Sequence, residues 1–189
     1  RQEFPGDQGR AEWAIAWPLW SDGSYSWYCN TIPTPAGGTH EAGLRAALTK
    51  GLRAFGELIG QKKARDISAD DVMVGAEIML SVFIRDPQFQ SQTKDRLTSP
   101  EAARLVENAM RDHFDHFLTD HMDRGKALLA YVIDRMDERL KRKQEKARAK
   151  AMGQSMRAEK QVRDVQLPET ILVSELANRM AERSADVVK

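Results

Sequence analysis

The sequence predicts an α+β fold in which two strands precede a helix and a long helix follows the third strand. Three observations predict it. Apolar residues in alternation or in short runs indicate strands at 11–20, 24–32 and 76–84. Capping residues followed by apolar positions at helical spacing indicate helices over 41–59 and from 99 onward. A chain of 189 residues has room for one domain, or one domain with a small appendage.

The first two strands are predicted to pair as a hairpin. One face of 11–20 is apolar, with Trp13, Ile15, Trp17 and Leu19, and Pro18 suggests an edge strand or a bulge. Asp22-Gly23 favours a two-residue turn with positive φ at both positions, so 24–32 would run back beside 11–20. The tryptophans are better explained as hairpin core and cross-strand pairs than as a base-stacking platform.

Two shorter helical segments are indicated by their first residues. Thr39 is predicted to cap the helix over 41–59, after a loop rich in proline and glycine. Ser68 followed three residues later by Asp71 is a capping box for a short helical turn.

The long helix is predicted to start at a Ser99 cap with Pro100 in the first helical position. Its apolar stripe keeps a three-then-four spacing for about 26 residues, interrupted only by Gly125. The stripe comprises Phe114, Phe117, Leu118, Met122, Leu128, Leu129, Val132, Ile133, Met136 and Leu140.

Charge is unevenly distributed although the formal net charge is only +1. Positions 139–163 hold ten basic residues and two acidic ones, so 141–163 is interpreted as a basic helix extension or linker. It could bind nucleic acid through phosphate contacts, although a charge run is more often a solvated helix. A single cysteine, Cys29, and the lack of a long apolar run favour a cytoplasmic protein.

Three motifs in order resemble a known family. They are CNTI at 29–32 leading into GGTHE at 37–41, then Asp86-Pro87, then SQTKD at 91–95. Together they are similar to the transducer, the second domain of B subunits of gyrase and topoisomerase IV. The tryptophan-rich start and the length of the helix after the loop are more like those of topoisomerase IV than those of gyrase. The resemblance implies a fold of the ribosomal-protein-S5-domain-2 type, with a small mixed sheet backed by helices, over residues 1–140.

The resemblance also implies a nucleotide site shared with a neighbouring ATPase domain. In that family the Gln-Thr-Lys loop touches the terminal phosphate of ATP, which places the role on Gln92 and Lys94. ATP and Mg would be the cofactors of the intact protein, an isomerase that changes DNA topology. Its partners would be DNA, a topoisomerase A subunit and a second B subunit. Arg45, Lys50 and Arg53 are candidates for DNA contact.

The chain is expected to be a fragment of such an enzyme and inactive alone. It begins with Arg1, and no stretch matches the upstream ATPase motifs or the downstream metal-binding cleavage module. Residues 161–189 instead resemble the small N-terminal subdomain of bacterial translation initiation factor two, through LPETI at 167–171 and ELANRMA at 175–181. The boundaries expected are therefore 1–140, 141–163 and 164–189. An initiation-factor-like module, or a non-functional fusion of two gene fragments, are the alternatives to a topoisomerase fragment.

Other candidate sites have simpler explanations. His113, His116 and Asp120 share a helical face and could bind a metal, but a polar face opposite the apolar stripe is favoured and no metal is expected. His40 is interpreted as part of a loop cap and Cys29 as a small buried residue.

Overall fold

The computed structural model describes residues 1–158 and 172–180. Within these residues the strands are β1 (Gln2–Glu3), β2 (Gly9–Ala16), β3 (Ser24–Cys29), β4 (Ile32–Pro33) and β5 (Glu77–Ile84). The helices are α1 (Thr39–Leu58), α2 (Ala69–Met73), α3 (Pro100–Asp120), α4 (Met122–Ala158) and α5 (Val173–Met180). Short 3-10 turns lie at Pro5–Asp7 and Lys62–Asp66.

The strands form one sheet in the order β1-β2-β5-β3-β4. β5 pairs antiparallel with β2 and parallel with β3, so the sheet is mixed, as expected. The prediction that β2 and β3 form a hairpin is wrong, because β5 lies between them.

The central position of β5 follows from its composition. Ile78, Leu80, Val82 and Ile84 are buried, whereas Met79 on the opposite face is exposed. A central strand pairs on both edges, which suits the strand with the most apolar face. The β2–β3 connection over 17–23 accordingly does not fold back as a tight turn. Where the connection enters β3, Ser24 N donates to Ala76 O (3.0 Å), the carbonyl just before β5.

The hairpin turn lies elsewhere, inside the predicted strand 24–32. Asn30 and Thr31 have φ of 49° and 67° and join β3 to β4, where Cys29 pairs with Ile32. Positive φ at both positions is the type I′ pattern, which asparagine tolerates. The Asn30 amide donates to Ile84 O (2.9 Å) and accepts from Ile84 N (3.0 Å), so it extends the ladder to β5.

Helix starts differ in detail from the predicted caps. α1 begins at Thr39 itself, with Gly38 as the N-cap residue, so the predicted Thr39 cap is wrong. Ser99 does precede α3 and Pro100 is its first residue, but the Ser99 hydroxyl accepts from Gln88 N (2.8 Å) instead of capping the helix. The capping box of Ser68 and Asp71 is confirmed.

The long helix is two helices. α3 ends at Asp120, and His121 leaves helical geometry with φ −122° and ψ 59° before α4 begins. A Cβ added at Gly125 would lie 2.9 Å from both Leu118 O and Phe55 Cζ, so α4 passes close to the end of α3. The apolar stripe has the same period on both sides of the break, which is why sequence periodicity did not reveal it.

An ion pair with a buried carboxylate joins α4 to α2. Arg139 donates from Nε to Asp71 Oδ1 (2.7 Å) and from Nη2 to Asp71 Oδ2 (2.9 Å). The Asp71 side chain is 2% exposed and also accepts from Ser68 N and Oγ. Burial alone would raise the pKa of the Asp71 carboxyl, but hydrogen bonds from Arg139 and Ser68 outweigh it and hold the pKa below its usual value.

Two compact units are distinguished, Arg1–Arg142 and Lys143–Lys189, and the division falls within α4. The first unit contains the sheet, α1, α2 and α3, with one contiguous apolar core. In the second unit, the α4 side chains described from 143 to 152 are all exposed. No helix among the described residues is both long and apolar enough to cross a membrane.

Replacing Arg139 by Met is expected to lower the free energy of unfolding by about 2 kcal/mol, because a buried carboxylate loses its charged hydrogen bonds. Lys63→Met is the matched control, since it breaks the more exposed pair of Lys63 with Asp137 of α4 and should lower stability much less. Urea unfolding at pH 7 measures both. The loss of stability caused by Arg139→Met should be fully present above pH 3.8, the ordinary pKa of aspartate. It should decline as the pH falls below 3.8, because the pKa of Asp71 is lower in the folded chain than in the unfolded chain. Equal losses in the two variants would contradict a special role for the pair of Arg139 with Asp71.

Candidate functional site

The loop between β5 and α3 forms a small hairpin of its own. Phe89 and Leu97 pair as an antiparallel bridge, and Thr98 N donates to Gln88 O (2.8 Å). Gln90 N donates to Arg96 O (3.0 Å), which closes the narrow end. Positions 91–95, the predicted Gln-Thr-Lys motif, therefore form a tip that projects from a hydrogen-bonded base.

Short side chains hold the tip in shape. The hydroxyls of Ser91 and Thr93 are 2.6 Å apart, and Thr93 Oγ1 donates to Asp95 Oδ2 (2.6 Å). Lys94 N donates to Ser91 O (3.1 Å), and Lys94 has a positive φ of 59°. A positive φ is uncommon for lysine, so the hydrogen-bonded tip fixes the backbone from which the Lys94 side chain extends.

The two residues predicted to contact phosphate are exposed on this tip. Lys94 Nζ lies 5.7 Å from the centre of the Phe89 ring, and no carboxylate of the described residues forms an ion pair with it. Gln92 is exposed as well, with no side-chain hydrogen bond to the described part of the chain. The structure thus exposes the Lys94 ammonium and the Gln92 amide on the same loop.

Beneath the loop lies the Gly37-Gly38-Thr39-His40 motif. Leu97 pairs with Gly38 as a parallel bridge, and Thr39 N donates to Leu97 O (3.1 Å). His40 is completely buried, with Nε2 3.2 Å from Thr34 Oγ1 and its ring edge-on to Trp27. Burial lowers the pKa of His40 to about 4, so the ring is neutral at pH 7.

The sequence comparisons identify the family. The family model described as DNA gyrase B matches residues 1–148. The chain belongs to the DNA gyrase B family. It is 55% identical over 145 residues to the B subunit of DNA topoisomerase 4 from Bartonella bacilliformis, covering 77% of this chain and 21% of that protein. The corresponding protein of Caulobacter vibrioides is 48% identical over 155 residues, covering 80% of this chain and 22% of that protein. The chain therefore spans about a fifth of the length of these relatives.

Solved structures show the same fold. The topoisomerase IV ATP-binding domain of Francisella tularensis superposes with a TM-score of 0.68 at 24% identity, covering 74% of this chain and 39% of that one. The 43K ATPase domain of Thermus thermophilus gyrase B gives a TM-score of 0.66 at 22% identity, covering 74% and 38%. At these identities the likeness establishes the fold, a small mixed sheet with helices, and nothing finer.

The three α1 cations of this gyrase B family chain are all engaged within the domain. Arg45 pairs with Glu41 (3.2 Å) and with Asp70, and Lys50 pairs with Glu107. Arg53 donates from Nε to Ile67 O (2.9 Å). Their contact with DNA remains a prediction, and it would compete with these existing bonds.

The histidines of α3 do not form a metal centre. His113 Nε2 lies 2.8 Å from Gln2 Oε1, and His116 Nδ1 lies 2.6 Å from Asp112 O. In the described part of the chain, no three His, Cys, Asp or Glu side chains are placed to hold a metal ion. Cys29 is buried, as expected, and burial raises the pKa of its thiol to about 11.

The tryptophans have separate environments instead of one hairpin core. Trp17 Nε1 donates to Val72 O (2.9 Å), Trp13 packs against His113, and Trp27 stacks on Tyr25. Trp20 is 97% exposed. The cross-strand pairing predicted for them fails because β5 separates β2 from β3.

Some structural residues of the site carried no recognisable sequence signal. Leu97 is one apolar residue in a polar loop, and Arg139 is one of many basic residues at the end of the apolar stripe. Asn30 did carry a signal, since asparagine favours positive φ, but Asp22-Gly23 was the stronger turn motif. The resemblance of 161–189 to initiation factor two lies mostly outside the described residues, of which 173–180 form α5.

The stability of the chain should fall as the pH is lowered from 6.5 towards 4. The His40 ring takes up a proton near pH 6.5 when unfolded but only near 4 when folded, so acid favours the unfolded state. The expected contribution is about 3 kcal/mol across this window, with no effect above it. His40→Gln should weaken the pH dependence of the free energy of unfolding, whereas the exposed control His116→Gln should not. Both are measured by urea titration at each pH. Parallel curves for the parent and His40→Gln would refute the assignment.

Proposed function

We propose that this chain is the transducer part of a topoisomerase IV-type B subunit, which couples ATP binding and hydrolysis to the opening and closing of a DNA gate. The observation that carries the proposal is the Lys94 ammonium, unpaired in the described part of the chain and presented by an ordered loop. The relatives, which are B subunits of DNA topoisomerase 4, support the class of enzyme.

The chemistry of Gln92 and Lys94 fits a nucleoside triphosphate. A lysine ammonium is a compact charge on a flexible stem that suits a terminal phosphate. It would offset negative charge that spreads over the phosphoryl oxygens during hydrolysis. The Gln92 amide would donate a directional hydrogen bond and orient the same group. ATP and Mg would be held mainly by a separate ATPase domain, with this loop reaching into the site.

The coupling would use the connections of the loop to the rest of the unit. The base of the loop is bonded to the start of α1 through Leu97, and α3 begins directly after the loop at Pro100. α1 packs along α3, and Arg139 fixes α4 to α2. Loss of the terminal phosphate would release Lys94 and free the whole unit to rotate, which is a hinge switch.

The proposed role implies partners that this chain does not include. They are DNA, a topoisomerase A subunit and a second B subunit, in the cytoplasm. The proposal extends to them because the relatives are named as subunits and the present chain covers about a fifth of their length.

Lys94→Ala should abolish ATP turnover in a reconstituted system. The full chain is mixed with a separately produced ATPase domain of a topoisomerase 4 B subunit, and phosphate release is measured. The chain alone should show no turnover, and the mixture should lose about a hundredfold or more with Lys94→Ala, the usual cost of removing a charge-stabilising donor. Lys62→Ala, which removes an exposed lysine from a turn, is the matched control. If the mixture is active and Lys94→Ala matches Lys62→Ala, the phosphate contact is refuted.

A second proposal concerns DNA. Positions 141–150 of α4 carry six exposed basic residues and one acidic residue, Glu145, so this stretch can contact phosphates without breaking an ion pair to any residue that the structure describes. Arg45, Lys50 and Arg53 remain candidates at the greater cost of giving up their partners.

Affinity for duplex DNA should therefore fall steeply between about 50 and 200 mM salt, because each neutralised phosphate releases a counterion. Replacing Lys143 and Lys146 together by Gln should reduce the slope of log affinity against log salt concentration by about two, when binding is measured by fluorescence anisotropy. Lys50→Gln should leave it nearly unchanged. A larger effect from Lys50 than from the α4 pair would assign the contact to α1, and a salt-independent affinity would exclude the electrostatic mechanism.

A further inference from the structure

We infer that residues 36–40 form a docking platform that sets the position of the Gln-Thr-Lys loop, with Leu97 as its anchor and Arg96 as a positioning residue for Lys94. The inference rests on the proposed role of Lys94, and it deepens that role by naming what holds the lysine in place. It assigns a role to the Gly-Gly-Thr-His motif, whose backbone bonds to Leu97.

The main chain supplies the docking contacts. Leu97 N donates to Gly37 O (3.1 Å), and Leu97 O accepts from Thr39 N (3.1 Å). Ala36 N donates to Asp95 O (2.9 Å), next to Lys94 in the sequence. The Leu97 side chain is completely buried in the core, so the returning arm of the loop is held both by backbone bonds and by packing.

Gly38 makes this approach possible. A Cβ at position 38 would lie 2.3 Å from Leu97 O and 2.7 Å from Leu97 N, well inside contact distance. Its φ of +142° is also a conformation that favours glycine. Any other residue at 38 would push the Leu97 backbone away from the platform.

The platform is itself tied to the sheet. Thr34 N donates to Trp27 O on β3 (2.8 Å), and Gly37 N donates to Thr34 O (2.8 Å). The Thr34 hydroxyl meets the buried His40 ring, which stands edge-on to Trp27. These bonds fix the loop relative to β3, which pairs along its length with β5.

Arg96 closes the contact from the loop side. Its Nη1 donates to Ala36 O (3.1 Å), although the side chain is exposed. The bond spans from the loop to the platform at a point two residues from Lys94. Because Arg96 is not in the core, its removal should move the loop without unfolding the domain.

The experiment measures the position of the loop directly, in the full chain. Spin labels are attached at Gln90→Cys on the loop and Leu58→Cys at the exposed end of α1, and the distance between them is measured by pulsed electron paramagnetic resonance. Cys29 is buried with a thiol pKa of about 11, so it does not compete for label. The parent should give a single narrow distance peak. Gly38→Ala and Arg96→Met should each lose that peak.

Two further variants separate positioning from general destabilisation. Arg96→Lys retains a donor and should restore the narrow peak. Arg85→Met, which removes the exposed pair with Asp7 at the other end of the same loop, should leave the peak unchanged. In Arg96→Met, exchange of the Leu97 and Thr39 amide protons should speed up by more than the roughly fivefold expected for one lost hydrogen bond, because the loop leaves the platform.

The outcomes distinguish this inference from the proposed function. If Arg96→Met and a folded Gly38→Ala keep the parental distance peak, the platform does not position the loop and the inference is overturned. If Gly38→Ala fails to fold, Arg96→Met with its lysine rescue decides the question. If the peak is lost as expected but Lys94→Ala still supports full turnover in the reconstituted system, the platform stands and the phosphate contact fails.

Discussion

The contact between Leu97 and the start of α1 is the constraint on which the candidate site depends. It joins a loop that presents Lys94 to a segment bonded to the sheet through Trp27. A flexible side chain acts as a useful phosphate contact only if its backbone is placed in advance, because the entropy of ordering the loop then does not oppose binding. The hydrogen-bonded tip and the buried Leu97 side chain supply that placement.

The remainder of the unit converts a local contact into a rigid connection. β5 pairs with strands on both sides and ends where the loop begins, while α3 starts where the loop ends. The loop that carries Lys94 is therefore connected directly to both the sheet and the helices. The pair of Arg139 with the buried Asp71 carboxylate joins α4 to α2, and it is less exposed than the pair of Lys63 with Asp137.

Charge is used in two different ways in this molecule. The α1 cations are engaged with partners within the domain, whereas Lys94 and the basic stretch of α4 face solvent. In the sequence alone, nothing shows which of these cations are engaged by carboxylates and which are exposed. Only the packing of α1 against α2 and α3 separates them, because an ion pair depends on residues far apart in the chain, such as Lys50 and Glu107.

The sequence by itself determined the α+β class, the positions of β5, α1 and α3 to within a few residues, the Ser68–Asp71 cap and the exposed loop with Gln92 and Lys94. These follow from local periodicity, capping chemistry and motif. Tertiary structure alone decided that β5 lies between β2 and β3, that the tight hairpin turn is at Asn30-Thr31 and not at Asp22-Gly23, and that the long helix breaks at His121. Each of these is set by which surfaces bury one another, and burial depends on contacts between distant segments that no local pattern records.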